Sequence, residues 1–95
     1  MPVIGVLHLE LRIDHAQSLK DRRNVIRSLK ARLRSRHNVA VAEIGPSYIL
    51  NRALVSAVTI SNDRAFAEKI LQAVDEDAAA ILGGMLESSG IEWVE

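Results

Sequence analysis

Basic residues recur at three- and four-residue intervals between positions 20 and 34. They are Lys20, Arg23, Arg27, Lys30 and Arg34. On a helix, at about 100° per residue, all five project within an arc of about 80°. Like charges at this spacing oppose helix formation by tenths of a kcal/mol per pair, whereas a line of cations suits the regularly spaced phosphates of a nucleic acid. We call these five residues the cationic stripe, and the chemistry that they predict is phosphate binding.

A solvated helix face is the alternative interpretation of the cationic stripe. Acids of a second helix could then satisfy it, and Asp75, Glu76 and Asp77 are the candidates. The charge is unevenly distributed, since residues 1–43 carry nine Lys/Arg against four Asp/Glu and residues 44–95 carry three against eight. The halves are therefore +5 and −5 and cancel to the net charge of zero. Such an asymmetry indicates an interaction surface unless the fold interleaves the halves.

Residues that could support catalysis or bind a metal are few. His8, His15 and His37 lack metal-ligand spacing, and the chain has no cysteine. Glu10 and Glu43 could converge on neighbouring strands, but strand carboxylates usually face water. The five glycines are scattered and form no phosphate-cradling loop. The sequence thus predicts no catalytic residue, no metal and no cofactor; an enzyme that uses His8 or strand carboxylates is the least favoured alternative.

The elements that must position the cationic stripe follow from the hydrophobic pattern. Period-two alternation predicts strands, and three-to-four spacing of apolar residues predicts helices. In order, the predicted elements are strand 3–13, helix 19–37, strand 39–44, strand 53–61, a helix between the cap at 61–63 and the break at 88–90, and strand 91–94. Ser18, three residues before Asp21, begins the first helix as a capping box would. A break is expected at 45–47, and residues 48–52 are ambiguous.

This order of elements at 95 residues predicts a single α+β domain, residues 1–95, with a ferredoxin-like βαββαβ fold. We expect an antiparallel four-stranded sheet, ordered 4-1-3-2, with two helices on one face. The predicted core contains Leu7, Leu9, Leu11, Leu29, Leu33, Val58, Ile60 and Ile70. The N-terminal apolar run is interrupted by His8 and Glu10, which predicts neither a signal peptide nor a membrane span and favours a cytoplasmic protein.

The sheet face away from the helices offers a second surface. We expect Ile4, Val6, His8, Val55, Ala57 and Thr59 there. RNA-recognition domains of this topology stack bases on aromatic residues of the central strands, and this set has none. Nucleic acid should therefore bind through the helix and its phosphates. An exposed apolar sheet face is unusual on a monomer, so we also expect a second copy to cover it. The predicted interface is Ile4, Val6, Val55 and Ala57.

Three stretches together resemble a known family. They are residues 4–7 (IGVL), residues 18–44 (SLKDRRNVIRSLKARLRSRHNVAVAEI) and residues 58–63 (VTISND). They resemble the YlxP-like bacterial proteins, a family without an established activity. The resemblance implies a ferredoxin-like fold. Genes of this family often lie among translation and ribosome-maturation genes, which implies an RNA-facing role.

Two functional hypotheses follow. The first is a non-enzymatic module that docks on RNA or a ribosomal particle through the cationic stripe. The second is a homo-oligomeric protein-interaction module, in its simplest form a homodimer, that uses the apolar sheet face. A continuous positive ridge on the folded protein favours the first hypothesis, and neutralising acids beside the stripe favour the second.

Overall fold

The computed structural model describes residues 1–46 and 49–94. The elements are β1 (Val3–Arg12), α1 (Leu19–Arg36), β2 (Ala40–Gly45), β3 (Arg52–Ser61), α2 (Arg64–Leu82), a 3₁₀ turn (Gly83–Met85) and β4 (Leu86–Val94). The expected order βαββαβ is confirmed. Part of the predicted break at 45–47 and the first residue of the ambiguous segment 48–52 lie outside the described residues.

All neighbouring strands in the sheet are antiparallel. The spatial order is β2-β3-β1-β4, so β1 and β3 are central and β2 and β4 are the edges. Buried residues of both helices join one cluster with alternate residues of β1 and β3. Both helices therefore pack on one face of the sheet, as the sequence predicted. We call this the covered face, and the other the open face.

Local hydrogen bonds explain where each helix begins. The Ser18 hydroxyl accepts from the backbone N–H of Asp21 at 3.1 Å, and the Asp21 carboxylate accepts from the N–H of Gln17 at 3.1 Å. Asp63 begins α2 in the same way, accepting from the N–H of Ala65 at 3.0 Å. These side chains satisfy donors that have no partner within the helix. The predicted capping start of α1 is confirmed.

The two alternate sets of side chains in β3 lie on the opposite faces of the sheet from those that the sequence predicted. Leu7 pairs with Ala57 and Leu9 with Val55, so this register places Val55 and Ala57 on the covered face, where both are fully buried. Val58 and Ile60, both predicted in the core, lie on the open face instead, where Ile60 is 62% exposed. Both alternate sets of β3 are apolar, and periodicity alone cannot tell which set faces inward. Small alanines under the helices leave room for the larger side chains of β1 and α2.

The last third of the chain also differs from expectation. Helix α2 ends at Leu82, and Gly83 adopts a positive φ of 57°, a conformation that glycine takes at low cost. Strand β4 is nine residues long and includes Ser88, Ser89 and Gly90, which we expected to end the second helix. These residues pair with Glu10, Leu9 and His8 of β1 in turn. Backbone pairing with a central strand outweighs their low strand propensity.

Candidate nucleic-acid interface

The cationic stripe lies on the outer side of α1, as predicted. Four of its residues are exposed and Lys30 is half-buried. Six ion pairs form among the described residues, and none includes a stripe residue. By contrast, Arg12, Arg36 and Arg52 each contact a carboxylate within 3.1 Å. The stripe is thus a line of cations with no countercharge in contact within the described part of the chain.

The acids considered as neutralising partners are engaged elsewhere or form no ion pair. Asp77 accepts from Arg36 Nη1 at 2.8 Å and from His37 Nε2 at 3.0 Å. The hydrogen bond from His37 lowers the pKa of Asp77 below its ordinary value of 3.8, and Arg36 lowers it further against the opposing effect of burial. Asp21, the one acid within α1, accepts from Gln17 at the start of the helix.

A groove of about 370 Å³ lies between α1 and the edge strand β2. Its lining residues are Leu19, Arg22, Arg23, Ile26, Arg27, Lys30 and Glu43. Three residues of the cationic stripe therefore line a groove in addition to lying on the exposed surface of the helix. Leu19 is 55% exposed at this groove. Apolar surface beside cations suits a ligand with both charged and uncharged parts.

Arg22 is the buried cation beneath this groove, with 5% of its surface exposed. Its guanidinium donates to the backbone oxygens of Pro46 at 2.8 Å, Ile49 at 3.0 Å and Arg52 at 3.0 Å. Arg22 Nη2 also lies 2.6 Å from Glu43 Oε2. The sequence pattern did not single out Arg22 as a candidate. A charge at a core position of the helical wheel was the available signal, and the guanidinium links α1 to the backbone of Pro46, Ile49 and Arg52.

The contact between Arg22 and Glu43 is an ion pair without hydrogen-bond geometry. Glu43 Oε2 is buried and has no hydrogen-bond donor, although it is 2.6 Å from the guanidinium. The short distance makes the charge interaction the dominant one. The Glu43 side chain remains 24% exposed. Glu43 also lines the groove, so the exposed part of its side chain is within reach of a ligand there.

The open face carries a hydrogen-bonded chain across three strands. His8 Nδ1 lies 2.7 Å from the Ser56 hydroxyl, and His8 Nε2 lies 2.8 Å from Glu92 Oε1. Gly90 lies opposite His8 on β4. Sequence reasoning placed His8 on this face but missed both partners. The strand register was the missing signal, because it sets Ser56 directly opposite His8.

Around this chain the open face is apolar. Ile4 and Val6 lie on it as predicted, whereas Val55 and Ala57 do not, because the register turns them to the covered face. A shallow depression of about 210 Å³ is lined by Val6, Ala40, Val41, Ala42, Ile44, Ser56 and Val58. The most exposed large apolar residues of this face are Ile44, Ile60 and Val94.

Two further observations concern other kinds of site. Among residues 1–46 and 49–94, no group of three or more His, Asp or Glu side chains is placed to hold a metal ion. Within the same residues, neither helix combines the length and apolar character needed to cross a membrane.

The strand order, the antiparallel pairing and two helices on one face define a ferredoxin-like α+β protein. A de novo designed protein, Foldit4, is similar over 100% of this chain and 98% of its own, with a TM-score of 0.62 and 9% identity. A dimeric ferredoxin-like protein of unknown function from Thermobifida fusca is similar over 96% of this chain and 90% of its own, with a TM-score of 0.46 and 17% identity. At these identities the likeness concerns the fold alone.

The chain belongs to the DUF503 family, described as proteins of unknown function, which matches residues 4–84. It is also 33% identical over 72 residues to the uncharacterized protein YlxP of Bacillus subtilis strain 168, covering 76% of this chain and 78% of that protein. The resemblance drawn from the sequence is therefore confirmed.

Proposed function

We propose that the protein is a non-enzymatic cytoplasmic module that docks on RNA or a ribosomal particle through the cationic stripe. One observation carries this proposal: five basic side chains lie along one side of α1, and none forms an ion pair with a described residue. Like charges in a row destabilise a helix. A partner rich in phosphate offsets that cost by neutralising them.

The aromatic side chains support recognition of the phosphate backbone and not of stacked bases. Trp93 lies on the covered face, with Arg64 4.5 Å from its ring centre. Phe66 is on α2, outside the sheet. The two central strands present neither Phe, Trp nor Tyr on the open face, so they lack the platform on which RNA-recognition domains stack bases. We therefore expect binding that depends on charge and varies little with sequence.

Salt dependence tests this proposal. Five phosphate contacts on a single strand give a slope of about −3.5 for the logarithm of affinity against the logarithm of salt concentration, so raising salt from about 50 to 200 mM weakens binding roughly a hundredfold. In the variant Arg27→Glu/Lys30→Glu, three contacts remain and the slope falls to about −2. Fluorescence anisotropy with labelled ribosomal RNA fragments measures both.

The matched control is Arg32→Glu/Lys69→Glu. It changes the net charge by the same amount at two exposed positions outside the stripe. If the line of cations is the site, the control binds nearly as the wild type does and the stripe variant does not. Equal losses in both variants would indicate attraction by net charge alone. A flat salt response would show that the stripe is a solvated helix face.

A homo-oligomeric interaction module is the second candidate, favoured by the exposure of Ile44 and Ile60, each 62% exposed on the open face. Covering this face with a second copy would remove that apolar surface from water. Light scattering at micromolar concentration should then give about twice the 10.5 kDa of one chain, and Ile44→Glu should return the mass to that of the monomer. A monomeric mass for the wild type would exclude this candidate.

A further inference from the structure

Glu43 is out of place in a groove that binds phosphate. It is the one acid among the groove-lining residues, which otherwise include Arg23, Arg27 and Lys30. A carboxylate repels phosphate, so its position there weakens a purely electrostatic site. The ion pair with Arg22 explains the position of the Glu43 Oε2 atom. The Glu43 side chain is still 24% exposed, and it borders the groove.

Resting on the function proposed above, we propose that this groove binds the sugar–phosphate backbone of single-stranded RNA, with Glu43 accepting a hydrogen bond from a ribose 2′-hydroxyl. The 2′-hydroxyl is the donor that distinguishes RNA from DNA. Carboxylates accept from this hydroxyl in dinucleotide-binding proteins, where an acid sits beside a phosphate site in the same way. The carboxylate thus provides selectivity, and the cations provide affinity.

The dimensions of the groove fit one nucleotide unit and not a duplex. From Arg23 to Lys30 the rise along the helix is about 10 Å, so the two cations can contact phosphates on either side of one sugar. The volume of about 370 Å³ is at the lower end of the range for small-molecule pockets. A double helix could touch the outer stripe but could not enter the space between α1 and β2. Leu19, which is 55% exposed, provides apolar surface for the uncharged part of the nucleotide.

The test compares three oligonucleotides of one sequence: RNA, 2′-fluoro RNA and DNA. The 2′-fluoro strand keeps an RNA-like sugar but has no hydroxyl to donate. We expect the wild type to bind RNA about tenfold more tightly than the 2′-fluoro strand, which is the scale of one charge-assisted hydrogen bond. Because the comparison changes only the ligand, it does not depend on whether a protein variant folds.

Glu43→Ala then assigns the effect to this carboxylate. We expect its preference for RNA over the 2′-fluoro strand to fall to about one, while binding of the 2′-fluoro strand stays the same or tightens because a negative charge is removed. Glu92→Ala, which removes an acid from the open face, should keep the preference of the wild type. Circular dichroism checks that each variant is folded, since Glu43 also pairs with buried Arg22.

The outcomes separate this inference from the function on which it rests. Equal wild-type affinity for RNA and 2′-fluoro RNA, with a steep salt dependence, would overturn the role of Glu43 and leave phosphate binding by the stripe intact. A preference for RNA that survives in a folded Glu43→Ala variant would also overturn it. No binding of any of the three strands would overturn both proposals.

Discussion

The two faces of the sheet are built from the same strands but differ in almost every physical respect. On the covered face Leu7, Leu9 and Val55 are at most 1% exposed, and the packing is tight. On the open face Ile44 and Ile60 are each 62% exposed. The polar side chains there bond mainly to one another, as His8 does with Ser56 and Glu92. The contrast shows that apolar composition does not identify a core, because the pairing register decides which apolar set is buried.

Introducing a charge on each face of β3 should give the largest difference in the free energy of unfolding between the two faces. Val55→Asp puts an unpaired carboxylate where no surface is exposed, which should cost about 4 kcal/mol or more, a large part of a typical stability of about 5–15 kcal/mol. Ile60→Asp places the same group in water and should cost about 1 kcal/mol, mainly through strand propensity. Urea unfolding monitored by circular dichroism measures both.

The cost of Ile60→Asp also tests whether the open face is exposed to solvent or covered by a second copy of the chain. A cost at Ile60 that stays near 1 kcal/mol at every protein concentration fits a face open to solvent. A loss as large as that at Val55, and dependent on concentration, would show that a second copy covers Ile60.

Gly5 and Gly90 lie in strands but on opposite faces of the sheet. Substituting them should give a smaller difference in stability between the faces. A methyl group at Gly5 would lie 2.7 Å from Trp93 Cζ3 and 2.8 Å from Leu71 Cδ1, whereas one at Gly90 would have no atom within 4 Å. Gly5→Ala should therefore cost about 1–3 kcal/mol through overpacking, and Gly90→Ala should be neutral or stabilising. The single tryptophan, Trp93, reports unfolding of both by fluorescence. Equal stability of the two variants would contradict this account of the covered face.

The sequence predicted more of the fold than of the sites. Ser18 and Asp21 begin α1 as expected because a cap depends on neighbours in the chain. The face of β3 was misassigned because Val55 and Val58 are equally apolar, and only the pairing with β1 distinguishes them. Glu43 was seen merely as a strand carboxylate, since its contact with Arg22 depends on how α1 crosses β2. The sequence predicts features that depend on neighbouring residues, such as helix caps. It does not predict contacts between segments that are distant in the chain.

The helices and the open face of the sheet each contain a histidine–carboxylate pair. Substitutions in these two pairs should have the smallest effects on the free energy of unfolding. His37 and Asp77, between the helices, are 16% and 17% exposed; His8 and Glu92, on the open face, are 37% and 65% exposed. Exposed pairs contribute little because water screens the charges. We expect Asp77→Asn to cost about 1 kcal/mol at pH 7 and Glu92→Gln only a few tenths.

Acidification should distinguish Asp77 further. Its pKa is lowered in the folded protein from the ordinary value of 3.8, chiefly by the hydrogen bond from His37. The ionised form therefore stabilises the fold at pH values above 3.8, and this stabilisation is lost as the pH falls through the lowered pKa and the carboxylate becomes protonated. As the pH falls below 3.8, the advantage of the wild type over Asp77→Asn should begin to shrink. Denaturant unfolding at half-unit steps of pH measures the difference, and an advantage that stays constant down to pH 3 would show that Asp77 does not stabilise the fold through its charge.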